Sequence, residues 1–189
     1  MRYYVRATEA GRLLRGGEVG LVPTETVVGL VAGEAGISRL FEIKGRDPNK
    51  PIALLCGSAK EAFALAREVP PLALSLAHRF WPGPLTLVLD ARGGTVGVRV
   101  PAHPITRAVL AGYGGALYAT SANPSGEPAP RALEDVDPAI QAAADFAVQG
   151  GAGSGEASAV VDLSEGGLHL LRPTESLGEG ELSRLASLA

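Results

Sequence analysis

The chain has 189 residues, 46% of them hydrophobic and 20% charged, enough apolar content to bury an ordinary core, so a single domain over residues 1–189 is expected. A net charge of −3 argues against a protein that binds nucleic acid over its whole surface, although not against a local basic pocket. The one cysteine, Cys56, excludes an internal disulfide and a cysteine-rich zinc site; with no apolar leader and no 18-residue apolar run, a reducing, cytoplasmic setting without a membrane partner is expected.

The 25 glycines and 14 prolines fall between apolar runs and mark tight turns joining short elements. Thr8 is placed to cap a helix that runs to about Leu14 and stops at Gly16-Gly17. Residues 19–22 read as a strand feeding the turn Pro23-Thr24-Glu25-Thr26. A short helix over 37–43 ends at Lys44-Gly45-Arg46, and 51–56 reads as a buried strand. Ser58 and Glu61 form a capping box for a helix to about Glu68. The next helix, over 72–80, is closed by Trp81-Pro82-Gly83-Pro84. Strands follow at 85–89 and 96–100, then a helix opened by Pro104 and a strand at 116–120 that runs into Ser121-Ala122-Asn123-Pro124-Ser125-Gly126. A weak helix at 138–143, strands at 146–148, 158–163 and 168–171, and a helix at 181–188 complete the chain. Helices alternating with strands place the fold in the α/β or α+β class with a mixed sheet.

The densest charge lies at Lys44-Gly45-Arg46-Asp47-Pro48-Asn49-Lys50-Pro51, which holds two of the three lysines. Arginine offers a planar fork to phosphate oxygens and lysine a mobile point charge, so a nucleotide site is one reading. A solvated helix C-terminus, whose dipole also favours cations, is the other. Ser121-Ala122-Asn123 follows a strand end, where α/β proteins commonly bind ligands, yet the same residue types build plain turns. Arg99 interrupts an apolar strand, and a buried guanidinium without a counter-charge is costly. A protein carboxylate, a ligand anion or an outward-facing position would each resolve it. Arg172 repeats the pattern. No GxxxxGK[ST] loop occurs, which excludes a P-loop NTPase, and the glycine-rich stretch 150–155 resembles a phosphate loop in composition only. His78, His103 and His169 lack metal-ligand spacing, His103 between two prolines reads as a turn residue, and no nucleophile–base pair stands out.

Taken in order, Pro23-Thr24-Glu25-Thr26, Lys44-x-Arg46, Lys50-Pro51, Trp81-Pro82-Gly83-Pro84-Leu85-Thr86, Val98-Arg99-Val100-Pro101, Ser121-x-Asn123-x-Ser125-Gly126 and Val160-Val161-Asp162 resemble the YrdC/TsaC family of threonylcarbamoyl-AMP synthases, in its short single-domain form. The resemblance runs from about residue 19 to 173. It implies a twisted mixed parallel/antiparallel sheet with flanking helices around a large, concave, basic cavity. It implies a nucleotidyltransferase that converts L-threonine, bicarbonate and ATP, with Mg²⁺ carried by the ATP and neither zinc nor an organic prosthetic group, into threonylcarbamoyl-AMP and pyrophosphate. The product would go to proteins that modify tRNA, and weak binding of tRNA or double-stranded RNA is also implied.

By the same resemblance Thr26, Arg99, Ser121 and Ser158 would hold threonine, its carboxylate on Arg99. Lys44, Arg46, Lys50, Thr95, Asn123 and Arg172 would hold the nucleotide, with Lys44, Arg46 and Lys50 central to catalysis. Val28, Val31, Leu55, Arg131 and Ala159 depart from the family pattern and bear on the shape of the threonine pocket, while the cation set is intact. Three other readings share these residues: a non-catalytic RNA-binding module, a paralogue that adenylates another amine, and a carbamoyl-transfer domain of the hydrogenase-maturation type. The single cysteine and the chain length argue against the last.

Overall fold

The computed structural model describes residues 3–47 and 51–187. Its elements in chain order are β1 (Tyr3–Val5), α1 (Ala7–Arg15), β2 (Val19–Val22), β3 (Gly29–Ala32), α2 (Ile37–Lys44), β4 (Ala53–Leu55), α3 (Ala59–Phe63), α4 (Pro71–Phe80), β5 (Leu85–Ala91), β6 (Gly94–Arg99), α5 (Pro104–Tyr113), β7 (Leu117–Ser121), α6 (Pro138–Ala143), β8 (Phe146–Val148), β9 (Ala159–Asp162), β10 (His169–Arg172) and α7 (Glu179–Ala186). The strands form one sheet in the order β1-β8-β2-β3-β7-β4-β6-β5-β9-β10. Pairs β1/β8, β8/β2, β4/β6 and β5/β9 are parallel and the rest antiparallel, so the sheet is mixed as the alternation of elements leads one to expect.

Pleating sends alternate residues to opposite faces, and the register shows that the two faces are covered differently. On one face Ala32, Tyr118, Leu54, Val98, Leu87 and Val161 follow one another across six strands. Leu40 of α2 and Ile140 of α6 cover one end of that face, and Ala62, Ala73, Leu76 and Leu182 of α3, α4 and α7 cover the other. On the opposite face Phe146, Val22, Val31 and Leu117 pack under Leu13 and Leu14 of α1 and Val109 and Leu110 of α5. Further along the same face the residues become Ala53, Gly97, Thr86, Val88 and Val160, and there a cavity of about 420 Å³ opens. Burying a large apolar side chain is worth about 1.5–3 kcal/mol. The open stretch forgoes that stabilisation and keeps space instead.

Several elements differ from the sequence reading. Strands β1 and β3 are absent from it, because both are short apolar runs beside turns with no alternation to announce a strand. β1 forms through parallel pairing with Phe146–Val148. Thr8 lies inside α1, whose start after Arg6 has no side-chain cap. α3 stops at Phe63, short of Glu68: Ser58 Oγ accepts from Glu61 N at 3.2 Å, but the Glu61 carboxylate accepts from Gly57 N, and Arg67 N turns away to bond Asp90 O at 2.8 Å. The strand expected over 51–56 is only Ala53–Leu55, and Ala53 is half-buried because it faces the cavity. The last helix begins two residues earlier than expected, at Glu179, and residue 188 lies outside the described residues.

Candidate active site

One end of the cavity is built on Arg99, the last residue of β6 and 6% exposed. Its Nε donates to Gly83 O at 3.1 Å, and its Nη2 donates to Glu25 Oε1 at 2.7 Å and to Thr26 Oγ1 at 3.0 Å. Of the resolutions open to a buried guanidinium, the structure shows the protein carboxylate. Gly83 comes from the Trp81-Pro82-Gly83-Pro84 turn, where Trp81 Nε1 donates to Leu85 O at 2.6 Å. Glu25 and Thr26 come from the loop between β2 and β3. Thr24 gives its hydroxyl proton to Val27 O at 2.6 Å, so the 2.8 Å bond between Thr24 and Thr26 is donated by Thr26. Thr26 Oγ1 is thereby left to accept from Arg99. Burial raises the Glu25 carboxyl pKa, but the charge and hydrogen bond of Arg99, with backbone N–H bonds, outweigh it and hold the group below its usual value.

Ser158, buried just before β9, joins this end. Its Oγ lies 2.9 Å from Thr86 Oγ1 and accepts from Arg172 Nη2 at 3.3 Å, while its carbonyl accepts from Arg172 Nε at 2.7 Å. Burial, then the neighbouring Arg99 charge, lowers the Arg172 pKa. Two guanidiniums thus lie near one another, with Glu25 paired to Arg99, and a bound anion would relieve the remaining positive charge.

The other end is built on Lys44, the last residue of α2 and 5% exposed. Gly45 closes the helix in the left-handed conformation with φ 61°, a turn that glycine makes without strain. Lys44 Nζ donates to Ser121 O at 2.6 Å, Asn123 O at 2.6 Å and Asn123 Oδ1 at 2.7 Å, which engages all three ammonium protons. Burial, then the charge of Arg46, brings its pKa down to about 8. This is not the solvated helix end that charge alone would allow. Asn123 Nδ2 in turn donates to Glu127 O. Arg46 Nη2 donates to Pro51 O at 3.0 Å, and its Nε is buried with no hydrogen-bond partner among the described residues. An unmet buried donor costs about 1–3 kcal/mol, more when charged, which an incoming acceptor would recover. In register Arg99 stands beside Leu55 and Leu117, four residues along β7 from Ser121, so the two ends lie roughly 13 Å apart along the strands.

Thr26, Lys44, Arg46, Thr95, Arg99, Ser121, Asn123, Ser158 and Arg172 all line this one cavity, and Lys50 lies outside the described residues. The described lining holds four cations and no Asp or Glu. No group of three or more His, Cys, Asp or Glu among the described residues is placed to hold a metal ion. Of the five departures only Leu55 lines the cavity; Val28, Val31 and Ala159 are packed in the cores, so they do not shape its wall. Arg131 instead donates through Nε to Gly153 O at 2.8 Å.

Half of the stretch 150–155 has no N–H group left for a phosphate. Gly153, Ser154 and Gly155 spend their N–H groups on the carbonyls of Arg131, Glu25 and Thr26, and a Cβ at Gly153 would stand 2.3 Å from Thr26 O. Its glycines let it buttress the Thr24–Thr26 loop. His103 caps α5 through Nδ1, which accepts from Ile105 N at 3.3 Å, as its turn setting suggests. Sequence reasoning assigned no role to Glu25, Gly83 or Thr86. Each sits inside a quoted motif, and the apolar flanks of Arg99 were the available signal that a carboxylate had to be near.

A mixed sheet with one face left open over converging cations and hydroxyls defines an α/β protein with an open, cation-lined cleft. Comparison with known proteins narrows this. The family model Sua5_yciO_yrdC, described as "Telomere recombination", matches residues 12–174, and the chain belongs to that family. It is 39% identical over 178 residues to a threonylcarbamoyl-AMP synthase of Pyrococcus abyssi, covering 87% of this chain and 52% of that protein. It is 34% identical to the threonylcarbamoyl-AMP synthase of Bacillus subtilis, again with 87% and 52% covered. The chain therefore spans about half the length of these curated relatives. The crystal structure of P. abyssi Sua5 complexed with L-threonine matches with a TM-score of 0.88 at 34% identity, over 97% of this chain and 60% of that one.

Proposed function

We propose that this chain is a threonylcarbamoyl-AMP synthase, acting in the cytoplasm as a single domain on L-threonine, bicarbonate and ATP. The observation that carries the proposal is one cavity with cations at both ends: Arg99 and Arg172 beside Thr26 and Ser158, and Lys44 and Arg46 beside Ser121 and Asn123. The relative of the same fold solved with L-threonine supports threonine as the amino-acid substrate, which Thr26, Arg99, Ser121 and Ser158 would hold.

In this reading the threonine carboxylate docks on Arg99. The amine captures CO₂ derived from bicarbonate, gives up a proton and becomes an N-carboxylate. An oxygen of that group attacks the α-phosphorus of ATP, the bond from that phosphorus to its bridging oxygen breaks, and pyrophosphate leaves. No covalent enzyme intermediate is required. ATP enters as its Mg²⁺ complex, which supplies charge neutralisation at the phosphates. Arg46, Lys50 and Arg172 offset further phosphate charge. Lys44 holds the Ser121–Asn123 loop that faces the nucleotide. The chain's contribution is to bring two mutually repelling anions into contact and to stabilise charge that develops at phosphorus. The product then passes to the enzymes that transfer the threonylcarbamoyl group to tRNA.

The test is pyrophosphate release from Mg²⁺-ATP and bicarbonate in the presence of each of several amino acids. Release that depends on L-threonine above all others is expected. Release with a different amine assigns the chain to another substrate, and salt-dependent tRNA binding with no release assigns it to RNA binding.

A further inference from the structure

Glu25 makes a contact that the function above does not use. It is the carboxylate facing Arg99, but it engages only one edge of the guanidinium. Oε1 accepts from Nη2 at 2.7 Å, while Oε2 is committed elsewhere, accepting from the backbone N–H of His103 at 3.2 Å. Gly83 O takes Nε and Thr26 Oγ1 shares Nη2. Nη1 has no hydrogen bond among the described residues, and Arg99 lines the cavity. Three fixed contacts on Nε and Nη2 therefore leave Nη1 as the donor still open to a ligand. A carboxylate paired bidentately with Nη1 and Nη2 of Arg99 would occupy the edge that contains Nη1 and compete with substrate. A carboxylate tied to His103 N cannot rotate to do so without losing that bond.

We propose that Glu25 is a positioning residue: it locks the Arg99 guanidinium so that its Nη1 edge is aimed at the carboxylate of the amino-acid substrate. The inference rests on the reading of Arg99 as the carboxylate-binding residue. A free arginine side chain samples many rotamers, and fixing the fork before the substrate arrives removes that entropy loss from binding. Glu25 also offsets the charge that burial of Arg99 would leave uncompensated. It ties the β2–β3 loop to the entry of α5 through His103 N, and to the 150–155 stretch through its own carbonyl, which accepts from Ser154 N at 3.0 Å.

The test uses the full chain and Glu25→Gln, which keeps the length of the side chain but offers one acceptor to two donors. Arginine side-chain ¹⁵N NMR without substrate reads the orientation of Arg99 directly, with Arg99→Lys supplying the assignment. Resolved Arg99 Nη signals in the wild type that collapse in Glu25→Gln are expected. The KM for threonine should rise about tenfold while the KM for ATP changes less than twofold, as misaiming one binding group would do. Unchanged Arg99 signals, or equal rises in both KM values, would overturn the proposal and mark Glu25 as plain loop support. Should Glu25→Gln melt below the assay temperature, Glu25→Asp, which withdraws the charge by one methylene, is read by the same criteria. A wild-type chain that releases no pyrophosphate with threonine refutes the proposed function, and the NMR comparison still decides whether Glu25 fixes Arg99.

Discussion

One face of the sheet is treated in two ways. Over β8, β2, β3 and β7 it carries Phe146, Val22, Val31 and Leu117 and is sealed by α1 and α5. Over β4, β6, β5 and β9 the same face carries Ala53, Gly97, Thr86, Val88 and Val160 and is left open. The strands, pleat and register are continuous across the boundary. What changes is side-chain volume and polarity. The packed half supplies stability, and the open half gives it up for a hollow lined by cations from the ends of β6, β10 and α2 and from Arg46. Substitutions in the two halves should therefore fail in different ways.

At the packed end Phe146→Ala removes a side chain with no exposed surface and should cost about 3–5 kcal/mol of stability. Urea unfolding should show that loss, while KM values measured on the folded fraction stay unchanged; altered KM values would break the division. At the open end Arg46→Ala should leave the urea midpoint near that of the wild type and lower threonine-dependent pyrophosphate release on the order of 10²–10³-fold. An unchanged rate would mean that the cluster is structural. Gly97→Leu fills the cavity floor, where the nearest atoms to a Cβ are those of Ala53 and Thr86, at 3.5 Å or more. It should cut activity on the order of 10²-fold through displaced substrate with little change in melting temperature. A large loss of stability there would show that the floor is core after all.

The smallest expected effect is a pH dependence. Lys44, with its pKa down at about 8 against an ordinary 10.5, loses a proton as pH rises through about 8, leaving two protons for three acceptors. The Ser121–Asn123 loop loosens, and kcat/KM for ATP should fall a few-fold, roughly threefold for one lost hydrogen bond. The sign for stability is opposite. Between pH 8 and 10.5 the unfolded chain holds a proton on this group that the folded chain has released, so folding gains as pH rises. A rate that falls while the thermal midpoint does not is expected; a midpoint that falls in step would contradict the Lys44 assignment.

Much of this was legible in the sequence. α6 and β8 match their expected bounds; α6, weak in sequence, is fixed by Pro138 at its start and by the Asp137 cap that the structure adds, and β8 by the apolar Phe146–Val148 run. The site residues were legible as motifs, but not as a surface. Which strand face they share depends on a register set by long-range pairing, and β3, which lies beside the site, is too short to announce itself. Charge patterning pointed to the lysine cluster and could not show that Lys44 is buried with its protons spent on two backbone carbonyls and the Asn123 side-chain oxygen. The departures at Val28, Val31 and Ala159 look like pocket changes in sequence; the structure packs Val28 and Ala159 in the cores of the opposite face, and α1 and α5 cover Val31.

The central claim is that the open half of the sheet face holds both substrates at once. A crystal structure of the full chain with L-threonine and a non-hydrolysable ATP analogue tests it most directly. The expected result places the amino-acid carboxylate on Arg99 Nη1 and the phosphates beside Arg46, with the two ligands in contact above Gly97. Nucleotide bound outside this cavity, or threonine and nucleotide too far apart to react, would contradict it.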